Sequence, residues 1–559
     1  MESSRTRNSI LDWLLAATIA ATVISSLAGI HIEIGSLRVR SHGAVRLLAA
    51  TLVLSIIRWR AGIEAWPAWV TRLILLTAIS GSVATWFRFL LPTVGGADSW
   101  GYVSASQMIG QGRLIDPAPI AEWLSAANRL AIASPLGWAP AVDGSGIVPT
   151  YPLGLPIIMA LFSAIGGSNA VFFVAPIAGL VTLALVYRLT REWYEPEVAL
   201  FAAAIVAWNP VFIAYAKQPM SDMLATMWVV LALLLSQRAT TITAVGAGLA
   251  TGAAVLTRPA LLLIAIIVPL AAYRGGSPLR RAGCSVLAFA TIAIAQLWLQ
   301  DHLFGSPFAT GYGNAGGLFS WSYLPANLEI YVEEGWRVLG PLWIPGLLIG
   351  LIAARPEPRW KPAAIFGAVA LPYLFYLPFD HWETLRFLLP GLVPLTIVVA
   401  QGLGLIARLH KRSAAAAVLT LVFMAIIAGR SENVLRSSSA WAVAELERRY
   451  PLAGEWVNVN TPPNAVILAN QHSGSIRYYG QRQTLRWDFI DAPHLATAIR
   501  ELQSHGAVVY VALEGAEERM FDERFAGVFE ELQIDHVGRV RNVSFRRIRF
   551  PESPYFPNR

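Results

Sequence analysis

The sequence of 559 residues is poor in charged residues, in lysine and in cysteine. Only 14% of its residues are Asp, Glu, Lys or Arg, whereas soluble proteins average about 25%. This scarcity excludes an intrinsically disordered chain and a nucleic-acid-binding arm, because both require many charges. The single cysteine, Cys284, cannot form an intrachain disulfide, so a disulfide-stabilised scaffold is excluded as well. Hydrophobic residues are abundant instead, at 55% of the chain.

The charges that are present are unevenly distributed along the chain. Residues 430–559 contain 16 basic and 16 acidic residues and are therefore neutral, so the net charge of +8 belongs to residues 1–429. The chain thus divides into a long lipid-soluble part and a tail of ordinary soluble composition. We expect the basic excess to report membrane topology rather than a polyanionic partner.

Long apolar runs fill the part of the chain before residue 430. A helix needs about 20 apolar residues to cross the hydrocarbon core of a bilayer, and thirteen segments meet or approach this length. They lie near 10–30, 44–60, 69–91, 170–190, 197–215, 220–236, 241–256, 259–273, 283–300, 337–354, 363–379, 386–406 and 414–429. The stretch 151–167 is short and contains two prolines, so we interpret it as a re-entrant or interfacial helix.

The loop charges favour thirteen crossings with a cytoplasmic N-terminus. Each loop that this topology places inside is basic, as the positive-inside rule requires, and the outer loop with Arg38 and Arg40 is the exception. Counting 151–167 as a full crossing would move the later basic clusters outside. The topology places the tail and four polar segments on the outer face: 92–150, 216–222, 301–335 and 379–386.

The tail is predicted to form a small extracytoplasmic α/β domain. Residues 465–470, 507–513 and 543–550 are short apolar runs typical of strands, and 495–506 has the periodicity of an amphipathic helix. No glycine-rich phosphate-binding sequence follows a strand, so nucleotide binding is not predicted. The predicted divisions are N-terminal transmembrane helices at 1–92, a first outer loop with interfacial helices at 93–168, a transmembrane core at 169–429 and the α/β domain at 430–559.

The sequence GGADSWGY at 95–102 contains the first candidate catalytic residue. Asp98 follows two glycines at the predicted water–lipid boundary and precedes an amphipathic helix that carries Tyr102. A carboxylate at this place can act as a general base towards an acceptor hydroxyl. The alternative is that Asp98 only caps the following helix, since aspartate is a favoured N-cap residue.

A second acidic residue lies in AKQPMSDM at 216–223, on the next outer loop. Asp222 can position an acceptor, a metal or a phosphate-bearing partner, and it can equally cap the helix predicted at 220–236. The neighbouring Lys217 can contact a phosphate or form an ordinary salt bridge.

Two outward arginines are the candidate phosphate ligands. Arg258 in LTRP lies between two spans, and Arg386 in HWETLRFLLP begins another. The planar guanidinium suits a phosphate near the headgroups, while the alternative is that both side chains reach out to the lipid headgroups. His302, His381 and Glu383 lie on the same face, but their spacing does not match a metal site.

The outer segment DHLFGSPFATGYG at 301–313 is rich in glycine, proline and aromatic residues. It can form a lid over a lipid-facing cavity, or it can be an ordinary surface connection. The stretch 314–335 extends it, and the length of the whole loop favours a functional role.

Taken together, these passages resemble the GT-C superfamily of polytopic membrane glycosyltransferases, and especially the group of bacterial aminoarabinose transferases and protein O-mannosyltransferases. The resemblance covers the chain from the third span to the tail. It rests on Asp98 and Tyr102, and on five further passages: YPLGLP…ALFSAIGGSNAV at 151–171, NPVFIAYAKQPMSDMLATMW at 209–228, LTRPALLL at 256–263, FGSPFATGYG, and LRFLLPGLVPL at 385–395.

The resemblance implies an enzyme that moves a sugar from a polyprenyl phosphate to a lipid, polysaccharide or protein acceptor, on the outer face of a bacterial inner membrane. Asp98 then corresponds to the general base of an inverting transfer and Asp222 to the acidic residue of the second loop. No cofactor is implied, and a divalent cation is left open. The aminoarabinose branch follows its first acidic residue with a second acid and a basic residue, where this chain has Ser99, Trp100 and Gly101.

The lysine that the aminoarabinose branch uses against phosphate also has no evident match near Tyr151. Phosphate recognition is therefore assigned to Arg258 and Arg386.

Two other classes of membrane protein compete with this interpretation. A transporter or flippase would carry its charges near the membrane midplane and show repeated broken helices, whereas these charges cluster at one face. A membrane anchor that displays the tail would need only one or two spans, whereas thirteen are predicted here.

Overall fold

The computed structural model describes residues 68–273, 277–313, 317–353, 356–408 and 413–551. It also describes the two strands at 30–34 and 37–41 and the single residues 14, 18, 53 and 57. Apart from those single residues and Ile30, which begins the first strand, the predicted spans at 10–30 and 44–60 lie outside the described residues.

Helices dominate the described part of the chain. The α-helices of seven or more residues are α1 (Ala68–Arg88), α2 (Gly96–Gly110), α3 (Gly154–Gly166), α4 (Val174–Arg191), α5 (Pro196–Ala207), α6 (Pro210–Ala216), α7 (Ser221–Ser236), α8 (Thr241–Thr257), α9 (Ile264–Ala272), α10 (Pro278–Phe304), α11 (Leu324–Leu339), α12 (Trp343–Ala353), α13 (Pro356–Leu374), α14 (Leu389–Arg408), α15 (Ser413–Ser437), α16 (Arg449–Asn460), α17 (Leu495–Ser504) and α18 (Ala516–Phe525).

The described strands form two hairpins and one larger sheet. They are β1 (Ile30–Ile34), β2 (Leu37–Ser41), β3 (Trp138–Pro140), β4 (Ile147–Pro149), β5 (Ala465–Ala469), β6 (Gln483–Leu485), β7 (Val508–Glu514), β8 (Gln533–Val540) and β9 (Val543–Arg549). β1 pairs with β2 and β3 with β4, both antiparallel, and the other five strands lie in the order β6-β5-β7-β9-β8.

The chain separates into two compact units. The first unit comprises residues 1–90, 173–294 and 316–441, and the second comprises 91–172, 295–315 and 442–559. We call them the helical unit and the mixed unit and describe each by itself.

Five helices of the described chain are long and apolar enough to cross a membrane, and two bent helix pairs raise the number to seven. One pair is α5 and α6, bent by 66°, and the other is α12 with the helical segment 321–339, bent by 98°. The sequence predicts 197–215 and 337–354 as single spans, but both are interrupted. Asn209 caps α6, which begins at Pro210, and Gly340-Pro341 separates α11 from α12, which begins at Trp343.

The centre of the helical unit is α14, which packs against α5, α7, α12 and α13. In the crossing with α12, a Cβ on Gly402 would lie 1.9 Å from the carbonyl oxygen of Gly346, and a Cβ on Gly350 would lie 2.1 Å from that of Val398. Small residues four apart let helix backbones approach closely where no hydrophobic driving force operates between helices. The GLLIG sequence of α12 therefore fixes this crossing.

In the mixed unit, α3 packs against α2 and leaves Ile157, Leu161 and Ile165 exposed, four residues apart on one face. Its 13 residues span about 20 Å, which is short of the roughly 30 Å of a hydrocarbon core. This length fits the prediction that 151–167 does not cross the membrane.

The sheet of the mixed unit is mostly formed by strands that the sequence predicts. β5 is parallel to β6 and β7, while β9 is antiparallel to β7 and β8. The predicted strands at 465–470, 507–513 and 543–550 correspond to β5, β7 and β9, and the predicted helix at 495–506 corresponds to α17. The sheet packs against α16. The buried core between them contains Ile467, Tyr510 and Phe545 of the sheet and Ala453 and Val457 of α16.

The predicted outer segment 301–335 is more helical than expected. Its first four residues end α10 at Phe304, and α11 covers most of its second half. Among the described residues of this segment, 305–313 and 318–320 remain outside helices.

Candidate active site

Asp98 lies in the first turn of α2 in the mixed unit. The N-cap residue of this helix is Gly95, with extended backbone angles, and no side chain caps the helix. The alternative that Asp98 serves as the N-cap is therefore wrong. Its side chain is partly exposed, and a carboxylate in the first turn is favoured by the helix dipole.

The hydroxyl of Tyr151 hydrogen-bonds to the Asp98 carboxylate. Tyr151 is 7% exposed. Burial and then the nearby charge of Asp98 raise the pKa of Tyr151 above its ordinary value, because both disfavour the phenolate. The hydroxyl consequently stays protonated and donates to the carboxylate.

Two further tyrosines surround Tyr151. The ring of Tyr102 lies 4.8 Å from that of Tyr151 between centroids, and the ring of Tyr312 meets it edge-on at 5.6 Å. Tyr102 is buried, whereas Tyr312 is half exposed. The carboxylate thus has an aromatic wall on the side of Tyr151, and the loop at 305–313 contributes to that wall through Tyr312.

Glycines allow Tyr151 to approach α2 this closely. A Cβ on Gly101 would lie 2.4 Å from the Tyr151 ring. Gly137 has a φ of +84°, and a Cβ there would lie 2.7 Å from the carbonyl oxygen of Ala97. Any larger residue at either position would push the ring away from Asp98.

The loop at 305–313 also borders a groove of about 670 Å³. The opposite wall is formed by residues 139–142, at the end of β3. A Cβ on Gly311 would lie 2.2 Å from the Cα of Thr150, so the loop is tightly packed next to Tyr151. The groove is large enough for a small ligand group.

Asp222 lies in the first turn of α7 in the helical unit and is completely buried. The N-cap residue of α7 is Met220, so the capping alternative is wrong for this aspartate as well. Oδ1 accepts a hydrogen bond of 2.7 Å from Nη2 of Arg258, and Nε of Arg258 donates to the Ser221 hydroxyl at 3.1 Å. The two residues form a buried ion pair, which satisfies the charge of both.

Arg386 lies next to this ion pair through a shared aromatic ring. Its guanidinium is 5.0 Å from the centre of the Phe387 ring, and that of Arg258 is 5.6 Å from the same ring. Arg386 also hydrogen-bonds to Tyr215. Tyr373 stacks on Phe387 at 4.9 Å. The sequence predicts Arg258 and Arg386 separately, and the structure brings them together.

Lys217 lies between α6 and α7 and is 2% exposed. Its Nζ donates a hydrogen bond to the carbonyl oxygen of Ala440 and lies 5.2 Å from the centre of the Trp441 ring. Burial lowers the pKa of Lys217 to about 8, and the charge of Glu383 partly opposes this effect. The prediction that it contacts a phosphate stays a prediction.

Within the described residues, no group of three or more His, Cys, Asp or Glu side chains is placed to hold a metal ion. His381 lies 4.0 Å from Glu383, and both are exposed. His302 stacks on Trp298 of the same helix.

Several residues around Asp98 and around the Asp222–Arg258 ion pair were not predicted as site residues. Tyr151 and Tyr215 stand in passages that carry the resemblance, yet no spacing rule connects them with Asp98 or Arg386. Ser221 and Phe387 are sequence neighbours of Asp222 and Arg386, and this adjacency was the available signal.

Comparison with known proteins agrees with these features. The family model described as dolichyl-phosphate-mannose-protein mannosyltransferase matches residues 150–299. No curated protein has significant sequence similarity to the chain.

Among solved structures, ArnT from Cupriavidus metallidurans bound to undecaprenyl phosphate aligns with a TM-score of 0.55 at 13% identity, over 86% of this chain and 98% of ArnT. The apo state of the same protein gives 0.54 at 12% identity, over 84% of this chain and 97% of ArnT.

A second solved protein is similar to this chain over a comparable length. The oligosaccharyltransferase AglB from Archaeoglobus fulgidus, in complex with an inhibitory peptide and a dolichol-phosphate, has a TM-score of 0.51 at 14% identity. The alignment covers 88% of this chain and 75% of AglB. Together with the family match over residues 150–299, these structures confirm the predicted resemblance to the GT-C glycosyltransferases and show that the chain shares their fold.

Proposed function

We propose that this protein transfers a sugar from a polyprenyl-phosphate donor to an acceptor hydroxyl at the outer face of the membrane. The observation that carries the proposal is the partly exposed Asp98 carboxylate, hydrogen-bonded to Tyr151, in a chain with the fold of ArnT. ArnT binds undecaprenyl phosphate and AglB binds dolichol-phosphate. A lipid-linked phosphate is therefore the donor class that the comparisons support.

Asp98 is proposed as the general base. Its carboxylate takes the proton from the acceptor as the acceptor atom forms a bond to the anomeric carbon of the sugar. On the opposite side, the bond between that carbon and the phosphate oxygen breaks, and the polyprenyl phosphate leaves with the electron pair. A single displacement of this kind inverts the anomeric configuration.

Tyr151 is proposed to orient the carboxylate. Its protonated hydroxyl donates a hydrogen bond to the carboxylate and so limits the rotation of the Asp98 side chain. Tyr102 and Tyr312 hold the Tyr151 ring through their contacts with it. Tyr102 thus contributes to substrate binding indirectly, because it keeps the Tyr151 ring in place beside Asp98.

The donor phosphate is assigned to the cationic groups of the helical unit. Arg386 and Arg258 are proposed to stabilise the charge that develops on the leaving phosphate, because a guanidinium donates several hydrogen bonds in a fixed plane. Asp222 is proposed to hold Arg258 in position through the buried ion pair. Lys217 is proposed as a third cationic contact.

The proposed location is a bacterial inner membrane, with the four predicted divisions of the chain retained and the sheet of the mixed unit outside. The acceptor is a lipid, a polysaccharide or a protein, as the sequence resemblance implies.

The experiment that tests the proposal measures released polyprenyl phosphate. Purified protein is incubated with a panel of polyprenyl-phosphate sugars together with membrane-lipid, glycan and peptide acceptors. We expect one donor to be converted to free polyprenyl phosphate with matching glycosylation of one acceptor. Asp98→Asn is the control and is expected to release polyprenyl phosphate at least about 100-fold more slowly. Movement of a substrate across vesicle membranes without any release would instead indicate a transporter and would contradict the proposal.

A further inference from the structure

The segment that carries Asp98 is held by residues near the other end of the chain. The backbone N–H of Val94 donates a hydrogen bond of 2.9 Å to the hydroxyl of Tyr479, 385 residues away. Val94 is completely buried. A buried N–H without a hydrogen-bond partner costs free energy. The Tyr479 hydroxyl therefore fixes the position of the backbone at Val94.

Tyr450 contacts the same segment one residue later. A Cβ on Gly95 would lie only 2.0 Å from Cδ2 of Tyr450, which means that the aromatic ring lies directly against the backbone at the N-cap of α2. The Tyr450 hydroxyl accepts hydrogen bonds from Nε2 of Gln471 at 2.6 Å and from Arg449 at 3.2 Å. The hydroxyl end of the ring is thus itself held in place.

The third contact lies one turn into α2. A Cβ on Gly474 would lie 2.2 Å from the ring of Trp100, so this ring rests against the glycine backbone. The ring of Tyr478 meets Trp100 edge-on at 6.5 Å. Asp98 lies between the residues that these contacts hold, with Val94 and Gly95 before it and Trp100 after it.

We infer that Tyr479 and Tyr450 are positioning residues for Asp98, so that the C-terminal α/β part of the mixed unit is a component of the active site. This inference rests on the proposed role of Asp98 as the base. Neither tyrosine touches the reacting atoms. They act by fixing the first turn of α2, and an error of about 1 Å in the placement of a catalytic group can lower a rate about 100-fold.

Tyr479→Phe is the decisive variant because it removes only the oxygen that accepts the Val94 N–H bond. We expect kcat to fall about 10- to 100-fold, with the KM for donor changing less than about threefold, since no donor contact is altered. Gly95→Ala, which drives a methyl group into the Tyr450 ring, is expected to lower kcat in the same way.

Tyr510→Phe is the matched control. Tyr510 is a buried tyrosine of β7 in the sheet of the mixed unit, where it packs with Ile467 and Phe545. Loss of its hydroxyl should leave kcat unchanged. Melting temperatures are measured for every variant, so that a general loss of folding is recognised. In an Asp98→Asn background, Tyr479→Phe should cause no further loss.

Amide hydrogen exchange over residues 93–100 provides a readout that does not depend on activity. Faster exchange in Tyr479→Phe but not in Tyr510→Phe is expected. The inference is overturned if Tyr479→Phe and Gly95→Ala keep wild-type kcat, or if Tyr510→Phe loses as much activity as Tyr479→Phe. A wild-type protein without transfer activity, or an active Asp98→Asn, would instead overturn the proposed function. The exchange experiment would then still decide whether these tyrosines hold the segment.

Discussion

Two aspartates occupy the same kind of place in this protein but have opposite surroundings. Asp98 and Asp222 both lie in the first turn of a helix, and neither helix uses its aspartate as the N-cap. Asp98 is partly exposed and hydrogen-bonded to the neutral Tyr151, whereas Asp222 is completely buried and paired with the positively charged Arg258. The residue type and the helical position are shared, so the partner and the burial decide whether the carboxylate can meet a substrate.

This difference has a direct chemical consequence. A partly exposed carboxylate beside a neutral donor can be reached by an acceptor and can take its proton. A carboxylate that neutralises a buried guanidinium serves mainly to hold that guanidinium. The first is suited to be a base, and the second is suited to orient a phosphate ligand.

Substitution of the exposed aspartate should have the largest effect. Asp98→Asn keeps the shape of the side chain but removes the base, and we expect kcat to fall about 100- to 10,000-fold. The melting temperature should stay close to that of the wild type, because the side chain is partly exposed. Turnover at the wild-type rate in the reconstituted assay would remove Asp98 from the mechanism.

Asp222→Asn should act mainly on stability. The substitution leaves Arg258 buried without its counter-charge, and breaking a buried pair in this way costs about 3–5 kcal/mol. Unfolding of the detergent-solubilised protein by denaturant measures this loss. The double variant Asp222→Asn/Arg258→Gln removes both charges and should recover part of the stability. If the single variant is as stable as the wild type, the contrast between the two aspartates fails.

Arg386→Ala should weaken donor binding by about 10- to 100-fold, since hydrogen bonds to charged groups contribute about 1.5–3 kcal/mol. The KM for donor is the relevant measurement, and the KM for acceptor should stay the same. Arg386→Lys keeps the charge but not the planar guanidinium, so its donor KM should lie between those of the wild type and Arg386→Ala. An unchanged donor KM in Arg386→Ala would place the phosphate elsewhere.

Tyr151→Phe should have the smallest effect, a fall in kcat of about tenfold through the lost hydrogen bond to Asp98. Burial raises the pKa of Tyr151, so the hydroxyl is protonated throughout neutral and mildly alkaline solution. The alkaline side of the pH–rate profile should therefore have the same shape in both proteins. A limb near the ordinary tyrosine pKa of about 10 that disappears in Tyr151→Phe would show that this hydroxyl ionises during turnover.

The positions of most helices could be predicted because apolar runs have a length that the bilayer requires. α7 at Ser221–Ser236 and α8 at Thr241–Thr257 lie within one residue of the segments predicted at 220–236 and 241–256. The breaks inside the spans at 197–215 and 337–354 were missed, since average hydropathy continues across them. Asn209-Pro210 and Gly340-Pro341 were the signals for those breaks.

Some strands of the sheet were predicted from the sequence and others were missed, as with the helices. β5 and β7 are apolar, β9 carries the buried Val543, Phe545 and Ile548, and all three strands were predicted. β6 has only three residues, and β8, with the sequence QIDHVGRV, is too polar for the pattern. Both are edge strands of the sheet. Pairing with one neighbour gives such strands little burial, and a hydrophobicity pattern therefore does not reveal them.

The site could be predicted only as separate residues. Asp98, Asp222, Arg258 and Arg386 were identified from their types and places in the chain. The ion pair joins α7 to the end of α8, 36 residues away, and the Tyr151 contact depends on close packing at Gly101 and Gly137. Such partners are set by tertiary packing, which no local spacing encodes.

The hydrogen bond between Val94 and Tyr479 also has a consequence for the biosynthesis of the protein. Chains emerge from the ribosome with the N-terminal end first, at about 5–20 residues per second, so Val94 is made well before its partner, which is 385 residues away. The first turn of α2 consequently reaches its final conformation only after nearly the whole chain has been synthesised. A nascent or truncated chain that ends before Tyr450 contains every proposed phosphate ligand and Asp98 itself, yet lacks the contacts that hold that carboxylate in place.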